Sequence, residues 1–295
     1  MTEETRCGYV AVVGAPNAGK STLVNTMVGS KVSIVTPKAQ TTRFRVLGLV
    51  LAGPVQMVLV DTPGIFAPKR RLDRAMVAAA WNGAADADEV CLLVDAARGW
   101  DQESRAIAAR LKAAGRQPVL VLNKVDLVRK DTLLAMAGEG DFAAVFMVSA
   151  LAGDGVPGLL AHLAGLLPPG PWLFPEDQVS DLPQRLLAAE ITREKAFMRL
   201  HQELPYALAV ETESWTENDD GSVRIDQVLY VLRDSQKGMV VGKGGQLIKA
   251  IGAAARVELE QLLDRRVHLF LHVKVKEDWI EKRGFYSGVG LDWDA

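Results

Sequence analysis

Along the first half of the chain, short runs of apolar residues alternate with segments of helical character. Tyr9 to Val13 is one such run, ending at Gly14, and Lys20 through Val28 reads as a helix, so the pattern predicts strand, loop, helix. Val46 to Leu51 and Gln56 to Val60 read as two further strands, with Gly53-Pro54 turning between them. Val90 to Val94, Val119 to Leu122 and Val145 to Val148 are short runs of the kind found in strands buried on both faces, and polar residues follow each. Strands alternating with helices predict an α/β fold with a mostly parallel sheet. Ligands of such sheets gather at the carboxyl ends of the strands, where these polar residues fall.

The pattern changes at Leu167-Pro-Pro-Gly-Pro-Trp-Leu-Phe-Pro175, where four prolines and a glycine exclude a helix or a central strand and predict a stiff connector. The expected division is a first domain at 1–167, a connector at 168–182, a smaller α+β domain at 183–283 and a tail at 284–295. In the second domain, Asp181 is expected to cap a helix with Pro183 in its first turn, running through Leu186, Ile191 and Leu200 towards Pro205. Tyr206 to Trp215 alternates as a strand, and Val223 to Leu232 makes another after a turn near Asp219-Asp-Gly221. Val241 to Ile248 holds a GxxG loop at Gly242, Lys243, Gly244 and Gly245, preceded by a strand and opening an amphipathic helix. A second helix at about Ala254 to Leu263 leads to an alternating strand, Val267 to Val275.

Composition narrows the class without naming a partner. A chain of 295 residues suggests about two domains, and a net charge of −2 with 49% hydrophobic residues is that of an ordinary globular protein. There is no secretory signal and no apolar run of about 18 residues, and Cys7 and Cys91 lack metal-ligand spacing. The expectation is a cytoplasmic, monomeric protein with reduced thiols that act as small apolar filling. His268 and His272 share a strand face, but no third ligand or acidic partner lies nearby in sequence, which argues against a metal pair.

The chemistry sits in three ordered motifs. Gly14-Ala15-Pro16-Asn17-Ala18-Gly19-Lys20-Ser21 has the GxxxxGK[ST] form, which alone leaves ATP and GTP both open. Asp61-Thr62-Pro63-Gly64 and Asn123-Lys124-Val125-Asp126 follow in order, and the three together imply a GTP-binding switch. Glycines let backbone N–H groups approach phosphate oxygens, and the following helix adds its positive end. Lys20 is placed to reach the β- and γ-phosphates, the Ser21 hydroxyl to bind Mg²⁺, and Thr22 to contact the α-phosphate. Asp61 would hold the metal through its water shell, and the Gly64 amide would report on the γ-phosphate. In Gln40-Thr41-Thr42-Arg43 one threonine, Thr42 in preference to Thr41, would complete the Mg²⁺ shell. Lys20, Thr42 and Gly64 are therefore the candidate catalytic residues.

Guanine offers a ring N–H and an exocyclic amine, and Asp126 is the carboxylate that can accept from both. Asn123 can bond the base and tie neighbouring loops, the Lys124 stem can lie over the ring, and the backbone at Ser149-Ala150 can donate to the guanine carbonyl. Charged bonds of this kind contribute about 1.5–3 kcal/mol each, so ATP should be rejected. Ile65 stands where many regulatory GTPases carry a water-orienting glutamine, which implies slow hydrolysis. Asn17 resembles the asparagine by which some GTPases recruit a monovalent cation such as K⁺; a loop residue bonding its own backbone is the plain alternative.

The order helix, strand, strand, helix, GxxG, helix, strand is that of a type II KH domain, whose glycine loop presses against a nucleic-acid backbone. Lys237, Lys243 and Lys249 surround the loop, and from Lys237 to Arg283 ten basic residues face six acidic ones, which implies salt-dependent RNA binding. The whole chain resembles the Era family of bacterial GTPases. The Gln40-Thr-Thr-Arg43 switch, the Pro171-Trp-Leu-Phe-Pro-Glu-Asp-Gln178 connector and the Leu186-Leu-Ala-Ala-Glu-Ile-Thr-Arg-Glu-Lys195 helix carry that likeness. The resemblance implies a P-loop GTPase domain followed by a type II KH domain, GTP and GDP as ligands, and binding to the 3′ end of small-subunit ribosomal RNA. It further implies action in small-subunit assembly and peripheral membrane contact. The rival readings are a nucleotide-gated RNA-binding module with incidental hydrolysis, or a different ribosome- or tRNA-related GTPase.

Overall fold

Strand β1 (Arg6–Val13) runs through the middle of a six-stranded sheet, and helix α1 (Lys20–Val28) follows it across the glycine loop. Then come β2 (Val46–Ala52), β3 (Val55–Asp61), α2 (Arg71–Asp86), β4 (Glu89–Asp95), α3 (Gln102–Ala113), β5 (Val119–Asn123), α4 (Lys130–Ala137), β6 (Ala144–Val148) and α5 (Val156–Leu166). The strand order is β2-β3-β1-β4-β5-β6, and only β2 is antiparallel to its neighbour. Every residue of β3 and β5 is buried, which is why these strands read as unbroken apolar runs. Cys7 and Cys91 are buried free thiols within β1 and β4, and burial pushes the Cys91 thiol up to about 12, so both serve as packing.

This computed structural model describes residues 4–295, which divide into two compact units. The first comprises residues up to Val35, Ala39–Asp181 and Tyr286–Ala295, and the second Thr36–Lys38 and Leu182–Phe285. Among the described residues no helix is long and apolar enough to cross a membrane.

The expected connector is instead a strap of the first unit. Pro169 bridges Arg6, and the Trp172 indole donates to Pro54 O at 3.0 Å. The buried Gln56 side chain donates to Phe174 O at 2.8 Å and accepts from the Leu173 and Phe174 amides at 2.8 and 3.0 Å. Leu49 N–H then donates to Val179 O at 2.9 Å. Prolines suit this path because a strap lying on an edge strand needs only part of its own N–H groups. Asp181 does not cap a helix: its carboxylate accepts the Leu47 amide at 3.1 Å, and Pro183 takes the N-cap position without a side-chain bond. The tail also differs from a free end. Tyr286 is fully buried, its ring meets the Trp293 ring edge-on at 4.9 Å, and the Arg71 guanidinium lies 4.2 Å over Trp293 and donates to its carbonyl at 3.2 Å.

The second unit contains α6 (Gln184–Arg199), β7 (Ala209–Glu217), β8 (Val223–Val231), α7 (Asp234–Val241), α8 (Gln246–Leu263) and β9 (Val267–Val275). Its sheet order is β7-β8-β9, antiparallel then parallel. Ile251, Ala255 and Leu259 form the buried stripe of α8, four residues apart as a helix face requires. Three expectations are corrected. The glycine loop is preceded directly by helix α7, not by a strand, and α8 is one continuous helix, with no break before Ala254. Also, β7 starts at Ala209, because Pro205–Ala207 forms a short 3-10 turn. Lys38 donates to the carbonyls of Phe197 and Leu200, a cation at the negative end of α6.

Candidate functional site

The glycine loop leaves β1 at the carboxyl edge of the sheet, and its glycines are fixed by close approach. A β-carbon on Gly14 would lie 2.3 Å from the Leu93 carbonyl oxygen, and one on Gly19 2.3 Å from Nδ2 of Asn123. Gly19 also has φ +99°, a backbone that favours glycine. Lys20 is buried, and its Nζ donates to the carbonyls of Gly14 and Ala15 at 3.1 and 3.0 Å. Burial holds the Lys20 ammonium down at about 8, opposed by the nearby Asp61 carboxylate.

Three expected metal-site residues converge from three elements. Ser21 Oγ at the start of α1 donates to Asp61 Oδ2 at 2.7 Å and lies 2.8 Å from Thr42 Oγ1, and Thr42 Oγ1 is 3.5 Å from the same Oδ2. Asp61 ends β3 and is completely buried, and desolvation raises its carboxyl above the usual carboxylate range, opposed first by the Ser21 hydroxyl. The Ser33 hydroxyl lies near enough to help hold charge there, yet no bond of normal length reaches Asp61 Oδ1. A buried carboxylate with one oxygen left over, beside two hydroxyls, is a donor set suited to a small hard cation that keeps several other ligands. Beyond Asp61, Thr62 Oγ1 donates to Val12 O at 2.8 Å, Pro63 passes the chain to Gly64, and a β-carbon on Gly64 would lie 3.0 Å from Pro16 Cα. Ile65 donates its amide to Gly14 O at 3.1 Å and buries its side chain in the core.

At the next strand ends, Asn123 acts as a tie. Its Nδ2 donates to Ala18 O at 2.8 Å and its Oδ1 accepts the Ala150 amide at 2.9 Å, joining three loops. Lys124 Nζ bonds Asn17 O at 2.9 Å and Asp95 Oδ2 at 2.5 Å. Val125 and Asp126 lie on a short 3-10 turn that leaves Asp126 exposed. Ser149 N–H donates to Asp154 O at 3.0 Å and Ala150 N–H to Asn123 Oδ1 at 2.9 Å, bonds that shape the loop in which the expected base-binding amides lie. Thr22 sits on α1, half-buried, its carbonyl accepting from Thr26.

In the second unit, Gly242, Gly244 and Gly245 have φ of +73°, +60° and +76°, and a β-carbon on Gly242 would press within 2.7 Å of Leu247. Lys237, Lys243 and Lys249 are all exposed around this turn. Beside it, between α8 and β9, lies a cleft of about 370 Å³ lined by Ile248, Lys249, Gly252, Ala253, Arg256, Leu269, Phe270 and Leu271. Sequence reasoning placed the lysines and missed this floor. The signal was the small pair Gly252-Ala253, where a β-carbon on Gly252 would already come 3.3 Å from Leu271. Among the described residues no group of three or more His, Cys, Asp or Glu is placed to hold a metal ion.

A phosphate loop on a mostly parallel sheet, joined to a unit whose GxxG turn opens onto a helix–strand cleft, defines a GTPase carrying a KH domain. Residues 9–124 match the family described as 50S ribosome-binding GTPase, and residues 203–280 match the KH domain family. GTPase Era of Caulobacter vibrioides is 56% identical over 312 residues, covering 100% of this chain and 99% of that protein. GTPase Era of a Bradyrhizobium species is 57% identical over 294 residues, covering 98% and 96%. The crystal structure of Era in complex with MgGDPNP and nucleotides 1506–1542 of 16S ribosomal RNA superposes with a TM-score of 0.91 at 38% identity, covering 97% of this chain and 99% of that one. An Aquifex aeolicus Era variant bound to GDP·AlF4⁻ gives the same TM-score, identity and coverage. The chain belongs to the Era family of GTPases.

Proposed function

We propose that this chain is a GTP-driven switch that grips the 3′ end of 16S ribosomal RNA through its KH domain and acts in small ribosomal subunit assembly. The convergence of Ser21, Thr42 and Asp61 carries the nucleotide half of this reading, because it gathers a metal-type donor set from the phosphate loop and both switch segments. The RNA half is supported by the GxxG turn with its exposed lysines and cleft, and by the relative solved with 16S nucleotides.

On this reading the amides of Gly14 through Ser21 cradle the phosphates. Lys20 leaves the carbonyls of Gly14 and Ala15 for the β- and γ-phosphates, whose charge raises its proton affinity. Ser21, Thr42 and Asp61 are the residues that would hold Mg²⁺. Mg²⁺ supplies neutralisation of charge between the β- and γ-phosphates. Gly64 carries the γ-phosphate signal to the segment before α2. Asp126 reads the guanine edge, Lys124 lies over the ring, and Asn123 keeps the surrounding loops in register. Ile65 is buried and apolar, so water is ordered by other groups and turnover is slow. Asn17, exposed and at φ +64°, is the candidate contact for K⁺; equal turnover in potassium and sodium buffers would remove that role. A cytoplasmic location, peripheral membrane contact and a monomeric state rest on the family likeness.

The test is binding of a short single-stranded RNA copying the small-subunit 3′ end, measured with GTP analogue, with GDP and without nucleotide. Affinity that differs between states, and turnover that rises with RNA, are expected. Binding that ignores the nucleotide would leave an RNA-binding module with incidental hydrolysis, and no binding would overturn the RNA assignment.

A further inference from the structure

The N–H groups of a phosphate loop converge on a ligand only if its carbonyls are held facing away, and each carbonyl needs a donor. From Gly14 to Ala18 every one has a partner. Gly14 O accepts from the Ile65 amide at 3.1 Å as well as from Lys20, Ala15 O from Lys20, Asn17 O from Lys124 at 2.9 Å and Ala18 O from Asn123 at 2.8 Å. The remaining carbonyl, of Pro16, accepts from Nη1 of Arg98 at 3.3 Å. Arg98 lies outside every motif in the sequence.

Arg98 and Lys124 thus grip adjacent carbonyls at the outer bend of the loop, next to Asn17 with its φ of +64°. Both cations are anchored by the end of β4 and the segment that leads from it to α3. Asp95, almost wholly buried, bonds Lys124 through Oδ2 at 2.5 Å and its own Ala97 amide through Oδ1 at 3.0 Å. The Asp95 carbonyl accepts the Arg98 amide at 3.0 Å. Asp101 pairs with Arg98 at 2.8 Å while its other oxygen caps α3 by accepting the Ser104 amide at 2.7 Å. Two carboxylates therefore fix two cations, and the cations fix the Pro16–Asn17 peptide.

We propose that Asp95 and Arg98 are positioning residues for nucleotide binding: they hold the bend of the phosphate loop so that its amides face the phosphates, without touching the nucleotide. This inference rests on the nucleotide site proposed above. It assigns the β4–α3 segment a share in affinity for GTP and GDP alike, and a share in turnover through Pro16, which abuts Gly64.

The test uses the full chain with Arg98→Ala, Arg98→Lys, Asp95→Asn and the double variant Asp95→Asn/Arg98→Ala. Arg98→Ala is expected to weaken GDP and GTP about 3- to 10-fold, with the unfolding midpoint of nucleotide-free protein unchanged, and Arg98→Lys to restore most of the loss. The double variant should lose less than the product of the single losses, because both residues act on one bend. Unchanged affinity and turnover in Arg98→Ala, or a loss tracked by an equal fall in nucleotide-free stability, would overturn the inference. Wild-type protein that binds no guanine nucleotide would instead overturn the site on which it rests.

Discussion

Gly19 and Asn123 occupy one space: a β-carbon on the glycine would stand 2.3 Å from the amide nitrogen that bonds Ala18 O. Gly19→Ala should therefore displace Asn123, and with it the tie to Ala150. We expect GTP affinity to fall by tenfold or more while RNA affinity measured without nucleotide stays as in wild type; fluorescent-nucleotide titration beside nucleotide-free RNA binding checks both. Unchanged nucleotide affinity would mean that Asn123 can yield without cost.

Lys20 gives a pH signature. Its folded value of about 8 lies below the ordinary 10.5, so between these values the unfolded chain holds more protons, and the Lys20 contribution to stability of the free protein rises with pH. Phosphate arrival favours the charged amine, so nucleotide binding near pH 8.5 should take up a fraction of a proton, absent in Lys20→Met. Calorimetry in buffers of different ionisation enthalpy reads this directly. No difference between wild type and variant would show that Lys20 is already fully protonated.

Asp126 stands exposed on its 3-10 turn, where an amide would match the opposite donor pattern of xanthine. Asp126→Asn is expected to shift preference from GTP towards xanthosine triphosphate by at least tenfold, measured as the ratio of dissociation constants. Retained GTP selectivity would assign base reading to another group.

The exposed lysines of the GxxG turn predict separable loss. Lys243→Asp with Lys249→Asp should weaken RNA binding tenfold or more and flatten its salt dependence, because two phosphate contacts disappear, while GTP affinity stays within twofold. Parallel loss of both ligands would refute two independent sites.

Gln56 predicts a stability effect. Gln56→Leu keeps the volume but leaves the Leu173 and Phe174 amides and the Phe174 carbonyl without their partner, at a cost of about 2–4 kcal/mol. Denaturant titration should show a lower midpoint; an unchanged one would mean that water replaces the side chain.

Much of this was legible in the chain where local rules decide. The runs at Gln56–Val60 and Val119–Leu122 announce strands because both sheet faces are covered, and Lys20–Val28 is bracketed by Gly19 and Gly29, which both adopt the left-handed region. The approach of Ser21 to Asp61 was likewise readable, because each belongs to an ordered motif, and Thr42 lies in the polar stretch between those two motifs. What was hidden depends on partners far apart. The strap of residues 168–181 reads as a linker because its bonds come from Gln56 and the edge strand. Arg98 carries no motif, since what it meets is a carbonyl 82 positions away. Phe270 alternates like any strand residue until α8 shows the cleft beside it.

The return of residues 286–295 to the first unit changes what can be dissected. A fragment cut after Asp181 to isolate the nucleotide half loses Tyr286 and Trp293 together, and Arg71, the first residue of α2, is deprived of the indole that covers it. Such a piece is not the native half-molecule, and its exchange kinetics would describe an α2 start stripped of the indole and carbonyl that hold Arg71. Splicing the C-terminal decapeptide back through a designed loop would be the fairer preparation.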